Sequence, residues 1–326
     1  SSKIPHSTLD FSDVFGQESC KRALEVASAG NNNVLMAGPP GSGKTMMARR
    51  VPTILPNLNY EKSLEVTKIY SVTGNLNTNE GLITKPPFRS PHHTITAAAL
   101  IGGGNNLMPG EISLAHNGVL FLDEVLEFKK NVLEVLRQPL EEKRITINRC
   151  SGRVSFPCNF MTIMATNPCP CGNFASGKHC TCTDYERKRY ISKLSSPFMD
   201  RIDLFTFVTS LNFKDIQNSK KSESSKSIRK RVEDARKIQK KRFMNHGIQY
   251  NSEMNSTLIK KYCKLNKKSI EILAKIYSKY KLTTRAYSKI LKVSRTIADL
   301  DHSECINESH LTEALCYRKF TGGGYM

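Results

Sequence analysis

An α/β core on a parallel sheet, in three layers and followed by an all-helical lid, is the fold class that the sequence predicts. Three observations carry it. Short apolar runs at 34–37, 119–122, 160–165 and 204–208 are separated by stretches of helical spacing. A Gly/Pro loop at 38–43 lies directly between the first of these runs and a helical segment. Beyond a Ser/Lys/Asn-rich stretch the periodicity is helical only. The organisation expected is a core at 1–210, a linker at 211–227 and a helical lid at 228–326.

The elements follow in order. Residues 17–29 read as a helix with Ala23, Leu24, Val26 and Ala27 on its apolar face. Asn31–Asn33 turn the chain into the first buried strand, and a second helix runs from Lys44 to about Val51, where Pro52 should stop it. Residues 53–110 are rich in Pro and Gly and read as loops, of the kind that carry function. Val119–Leu122 is a buried strand ended by Asp123-Glu124, and a helix is expected near 131–138. Ile145–Cys150 and Val154–Phe156 flank Ser-Gly-Arg and predict a hairpin. Past the linker, helices are expected at 228–244, 256–262, 269–280, 284–300 and 310–320.

The 326 residues are 39% apolar and 24% charged, ordinary for a soluble globular chain. The charge is not ordinary. Forty-nine basic residues stand against 29 acidic ones, a formal net of +20. Residues 1–210 hold 23 basic and 18 acidic side chains, and residues 211–326 hold 26 and 11. Composition alone leaves two readings of this surplus: an anionic partner such as nucleic acid, or Lys as the general solvating residue. No apolar run approaches the roughly 20 residues needed to span a bilayer, and residues 1–10 show no secretion signal. A cytoplasmic protein without a membrane role is therefore expected. In that setting, clustered cysteines read as metal ligands rather than disulfides.

Gly38-Pro39-Pro40-Gly41-Ser42-Gly43-Lys44-Thr45 satisfies G-x-x-x-x-G-K-[ST]. Its glycines allow backbone N–H groups to turn inward around phosphate oxygens. Lys44 can reach the β- and γ-phosphates of ATP, and the Thr45 hydroxyl can bind Mg²⁺. Met46, just past the loop, belongs to the same nucleotide-contacting set. A carboxylate at the end of a neighbouring strand must hold the Mg²⁺ shell; Asp123 suits this, and Glu124 can polarise the attacking water. Asn167 ends another buried strand, where an uncharged polar group can reach the γ-phosphate. Arg201 suits a finger that acts on a neighbour's nucleotide, because a guanidinium stays charged and binds phosphate bidentately.

Cys169, Cys171, Cys180 and Cys182 form C-x-C-x8-C-x-C, able to close a tetrahedral structural Zn²⁺ site at about one ion per chain. The spacing is tighter than usual, His179 can replace one thiolate, and labile disulfides or reduced thiols are alternatives. His92-His93 is not expected to form a metal pair, since adjacent histidines on a loop seldom point the same way. Lys220–Arg242 holds eleven basic and three acidic residues, a run that a solvated helix also explains. Arg149 and Arg153, beside the hairpin turn, are the candidate DNA contacts.

Taken in this order, Gly38–Thr45, Asp123-Glu124, Asn167 and Arg201 resemble a ring-forming AAA+ P-loop ATPase. Phe88–Thr94, Ala99–Gly104, Pro109–Glu124, Ala165–Gly172 and Arg285–Asp299 are similar to the magnesium-chelatase-like YifB/ComM group, and the resemblance runs from about Asp10 to Phe320. It implies that Asp13–Gln17, with Phe15 and Gly16, packs near adenine. It implies that Arg285 is a second sensor arginine acting on a neighbour's nucleotide, and that the 145–156 hairpin and the 70–110 segment face a central pore. Family members usually carry a Lon-protease-like domain ahead of the ATPase; only ten residues precede Phe11, so a truncated chain is expected.

The function implied is an ATP-dependent homo-oligomeric ring, a hexamer. It would drive helicase or branch-migration activity on single-stranded or branched DNA, in recombination or natural transformation. The alternative is a chelatase-type ATPase subunit that remodels a partner protein. The basic balance and the cysteine cluster argue against that alternative.

Overall fold

The computed structural model describes residues 9–74, 76, 81–103, 107–149, 152–174, 176, 178–210, 222–320 and 324–325. After a capped turn at Phe11–Asp13, the chain forms α1 (Glu18–Gly30), β1 (Val34–Ala37), α2 (Lys44–Ile54) and α3 (Tyr60–Val72). It continues through β2 (Phe88–Arg89), α4 (Ala97–Ile101), the ribbon β3 (Gly102–Gly103) and β4 (Met108–Pro109), α5 (Glu111–Leu114) and β5 (Val119–Leu122). Then come α6 (Lys130–Glu134), α7 (Arg137–Glu142), the hairpin β6 (Arg144–Arg149) and β7 (Gly152–Pro157), β8 (Met161–Thr166), α8 (Asp184–Ile191), α9 (Ser196–Met199) and β9 (Leu204–Phe207). The helical part comprises α10 (Ser225–Arg242), α11 (Ser256–Tyr262), α12 (Lys267–Tyr280), α13 (Thr284–Leu300) and α14 (Glu308–Cys316). It ends in the ribbon β10 (Lys319–Phe320) and β11 (Gly324–Tyr325).

Five strands form one parallel sheet in the order β2-β5-β8-β1-β9. Side chains alternate across a strand, and the two faces enter two different cores. Val34, Met36, Val119, Phe121, Ile163 and Ala165 pack with α1 and α2. Leu35, Ala37, Leu120, Leu122 and Met164 pack with α6, α7 and Phe198. Both faces are covered, which is why these strands are continuously apolar rather than alternating. Each buried Val, Leu, Ile, Met or Phe among them contributes roughly 1.5–3 kcal/mol by leaving water. The predicted three-layer core and the helical region that follows it are both present.

Several elements differ from their expected bounds. The helix after the phosphate loop does not stop at Pro52; it runs on to Ile54. Pro52 falls in its last turn, and Thr53 Oγ1 donates to the Arg50 carbonyl at 2.6 Å, satisfying one of the helix-end acceptors. Within the expected loop region stands a 13-residue helix, α3, whose N-terminus is capped by Asn59 Oδ1 accepting from Lys62 N at 2.9 Å. The helix expected near 131–138 is two short ones, α6 and α7. α10 begins inside the expected linker, at Ser225, because Ser224 caps it. The last helix ends at Cys316, short of the predicted 320. The linker's residues 211–221 lie outside the described residues.

The lid is joined to the core through the first cluster, which also contains Ile228, Val232 and Ala235 of α10 and Val293, Ile297 and Leu300 of α13. A second, lid-only cluster centres on Phe243, Leu273, Ile290 and Leu311. The basic helix α10 is not a free cationic stripe. Arg229 donates to the Thr53 carbonyl at 3.0 Å, and Arg236 to the Ser28 carbonyl at 2.9 Å. Arg231 pairs with Glu25 at 2.5 Å and with Glu223. Arg242 binds both Asp299 oxygens, at 2.7 and 2.5 Å. Part of the basic surplus therefore fastens the lid to the core. Among the described residues no helix is long and apolar enough to cross a membrane.

Candidate active site

The phosphate loop leaves the C-terminal end of β1 and enters α2. Gly38 is held against the last strand, where a Cβ would fall 2.4 Å from the Val208 carbonyl oxygen, so only glycine fits. Gly41 and Gly43 take left-handed φ of 76° and 97°. Lys44 is 9% exposed, and its ammonium donates to the Gly38 and Pro39 carbonyls at 2.7 and 2.8 Å. A longer contact of 3.4 Å reaches Asn167 Oδ1. Burial pushes the Lys44 ammonium below its usual pKa, while Asp123 and Glu124 pull it back up. The Ser42 hydroxyl is buried without a hydrogen-bond partner in the cradle, a donor that a phosphate oxygen would satisfy.

β8 lies between β1 and β5, so the ends of all three strands converge here. Thr45 Oγ1 donates to Asp123 Oδ2 at 2.6 Å. A hydroxyl and a carboxylate brought together in this way fit a hard divalent cation. Asp123 is oriented in turn by the Glu124 backbone N–H, which donates to Oδ1 at 3.0 Å. Glu124 adopts a left-handed φ of 50°, and its carboxylate lies 3.7 Å from His93 Nδ1. The His92 and His93 ring centroids lie 4.0 Å apart, with the rings tilted by 34°. The two adjacent rings contact each other, and His93 addresses Glu124. Sequence reasoning missed this contact because it crosses from the loop after β2 to the end of β5.

Phe15 and Met46 are apolar yet 51% and 39% exposed. Met46 Cε stands 3.2 Å from where a Gly43 Cβ would be, over the loop. Gly16 and Gln17 both take positive φ, and the Gln17 side chain clamps Thr209 by donating to its carbonyl at 2.6 Å and accepting from its N–H at 3.3 Å.

Arg201 and Arg285 are elsewhere. Arg201 precedes β9, whose first residue, Leu204, pairs with Val34, the first residue of β1. It therefore sits at the end of the sheet opposite the phosphate loop. It donates to the Pro197 carbonyl at 2.7 Å and pairs with Glu141 of α7. Arg285 is 70% exposed and binds Asp200 at 2.9 Å. Burial, then the nearby Arg137 and Arg285, hold the Arg201 guanidinium below its usual pKa. Arg137, which pattern reading did not single out, pairs with Glu134 at 3.0 Å in the same neighbourhood.

The four cysteines meet. The Sγ atoms of Cys169, Cys171, Cys180 and Cys182 all lie within 4.8 Å of one another, with three separations of 3.4, 3.7 and 3.8 Å. Four thiolates about 2.3 Å from a tetrahedral ion are about 3.8 Å apart, so the cage has the right size. The Cys171 thiol is lowered to about 6, first by the Asn173 backbone N–H. The Phe174 N–H donates to Cys169 Sγ at 3.4 Å, and Arg187 supplies a cation 4.0 Å from Cys180 Sγ. His179 is not in the cage.

The β6–β7 hairpin pairs in register from Arg144↔Pro157 to Arg149↔Gly152. Arg153 is exposed, and Arg149 is the last residue of β6. A Cβ on Gly152 would lie 3.8 Å from Leu107 Cδ1, so the start of β7 adjoins the residue that precedes β4.

The family model described as magnesium chelatase, subunit ChlI, matches residues 10–216, and that of its C-terminal region matches residues 222–318. The competence protein ComM of Haemophilus influenzae is 44% identical over 96% of this chain and 60% of its own length. The uncharacterized protein YifB of Escherichia coli is 42% identical over 95% of this chain and 60% of its own. An uncharacterized protein of Mycobacterium tuberculosis is 38% identical over 97% of this chain and 62% of its own. The chain thus spans about three fifths of the length of these relatives.

Proposed function

Because the chain belongs to the magnesium chelatase ChlI family, on its ComM- and YifB-like branch, we propose that it is a Mg²⁺-dependent ATPase working as a DNA motor in a homo-oligomeric ring. One observation supports this best. Lys44, Thr45, Asp123 and Asn167 converge at one end of the sheet, and Arg201 and Arg285 lie at the other. A protomer so built offers half of two sites, and each site is completed by the next protomer in a ring such as a hexamer.

In that ring the residues divide the work. Gly38–Gly43 and Lys44 hold the phosphates of ATP, and Phe15 and Met46 cover the base. Thr45 and Asp123 hold Mg²⁺, which would offset charge on the phosphate oxygens. Glu124 accepts a proton from the attacking water, and Asn167 orients the terminal phosphate. Arg201 and Arg285 of the neighbouring protomer, freed from Glu141 and Asp200, stabilise the transferred charge. Arg149 and Arg153 on the hairpin reach phosphates of DNA passing the ring.

ATPase rate measured against single-stranded and branched DNA over a salt series tests the reading. Stimulation by DNA that weakens as salt rises is expected. An assembled ring indifferent to DNA would replace it with a chelatase-type remodeller of a partner protein.

The cysteine cage is proposed as a Zn²⁺ site. Protein purified without added metal should carry about one zinc per chain by elemental analysis. Ordered, reduced cysteines with no metal would refute this.

A further inference from the structure

We propose that the metal-bound cysteine knuckle braces the phosphate loop, so that zinc binding and nucleotide binding at the two sites are thermodynamically linked. The inference rests on the zinc and ATP readings above.

Three contacts join the knuckle to the phosphate loop. The Gly38 N–H donates to the Thr166 carbonyl at 3.1 Å. Lys44 reaches Asn167 Oδ1 at 3.4 Å. Gly172, at φ 75°, is pressed against Pro40: a Cβ there would lie 2.8 and 2.9 Å from Pro40 Cδ and Cγ. Thr166 and Asn167 lead through Pro168 straight into Cys169, and Gly172 directly follows Cys171. The loop is therefore held at positions 38, 40 and 44 by residues within three of a metal ligand.

The knuckle has little else to shape it. From Asn173 to Cys182 none of the described residues is buried. With no buried side chain among them, these residues have little apolar burial to offset their ordering entropy. The candidate ligands supply the closure instead. Arg187 completes it from α8, donating to the Cys182 carbonyl at 2.6 Å and lying 4.6 Å from the Phe174 ring centroid. Removing the ion lets the far half of the loop relax, and with it the Gly172–Pro40 contact and the position of Asn167.

Linkage is reciprocal: if zinc tightens nucleotide binding by some factor, nucleotide tightens zinc by the same factor. The test uses the intact, zinc-loaded chain. Zinc affinity is measured by competition with a chromogenic chelator, with and without a saturating fluorescent ADP analogue. The Kd of that analogue is measured on loaded and stripped protein. A change of about tenfold or more is expected in both, equal within error. A zinc-containing protein in which neither affinity responds overturns the linkage and leaves the zinc and ATP readings standing. Absence of zinc overturns the zinc reading itself, and this inference with it.

A variant examines the contact without removing metal. Gly172→Asn tolerates the left-handed backbone and adds a Cβ against Pro40. It should weaken binding of the analogue several-fold at unchanged zinc content, and Pro40→Ala in the same chain should restore part of the loss. Wild-type affinity in the single variant would remove the contact from the argument and overturn the brace.

Discussion

Glu124→Gln is expected to lower ATP turnover by about 10²–10⁴-fold, the range for loss of a general base, while nucleotide affinity stays within a few-fold. The two effects separate because of how Glu124 is built into the site. Its backbone N–H orients Asp123, and that bond survives the substitution. Its side chain is 57% exposed and lies 3.7 Å from His93 Nδ1. The carboxamide keeps the shape and loses the proton acceptor. The left-handed backbone at a non-glycine residue costs on the order of 1 kcal/mol, a strain of the kind held at functional positions. Steady-state turnover together with equilibrium binding of a fluorescent ATP analogue checks the prediction. Turnover within a few-fold of wild type would remove Glu124 from the reaction.

Arg201→Ala is expected to cost about 10³-fold or more in turnover, the range for loss of an arginine finger. Mixing it with Lys44→Ala protein should return activity. Arg201 is tied to the start of β9, and the phosphate loop to the end of β1. The two are separated by a four-residue strand, on the order of 10 Å at about 3.3 Å per residue. Arg201 and its own Lys44 are therefore attached at opposite ends of the paired strands. In a mixed ring, some interfaces place an intact Arg201 against an intact Lys44, and those should hydrolyse ATP. Turnover of mixed, co-purifying chains no greater than that of either variant alone would mean that the arginine works within its own protomer, or not at all.

Much of the core was legible because buried parallel strands are continuous apolar runs, with the candidate site residues at their ends. Val34–Ala37, Val119–Leu122 and the phosphate loop announce themselves in this way. The helix α3 did not. Its buried face is only Ser63, Val66 and Ile69, too thin a stripe to stand out among flanking prolines and glycines. Pairing was equally hidden. Nothing in the spacing says that Arg201 meets Glu141, that Arg285 meets Asp200 or that His93 meets Glu124, since each pair is made by chain segments far apart in sequence. The basic run at 220–242 also misled, because arginines that look solvated in sequence are seated on helix-end carbonyls and buried carboxylates. The cysteine cage was visible as spacing, whereas its contact with Pro40 is a matter of one glycine's backbone.

The shared packing of α1, α10 and α13 bears on how motion can pass through the protomer. Ile228, Val232 and Ala235 lie in the same cluster as Ala23, Leu24 and Met47, so α10 is carried by the core as one piece with it. A hinge placed in the sequence between core and lid would have to tear that cluster open. Bending with less loss of packing falls farther along, where the lid-only cluster around Phe243, Leu273 and Leu311 begins. Motion of the core would then reach the distal helices α11 and α12 through α13 and α14, both of which are rooted in both clusters.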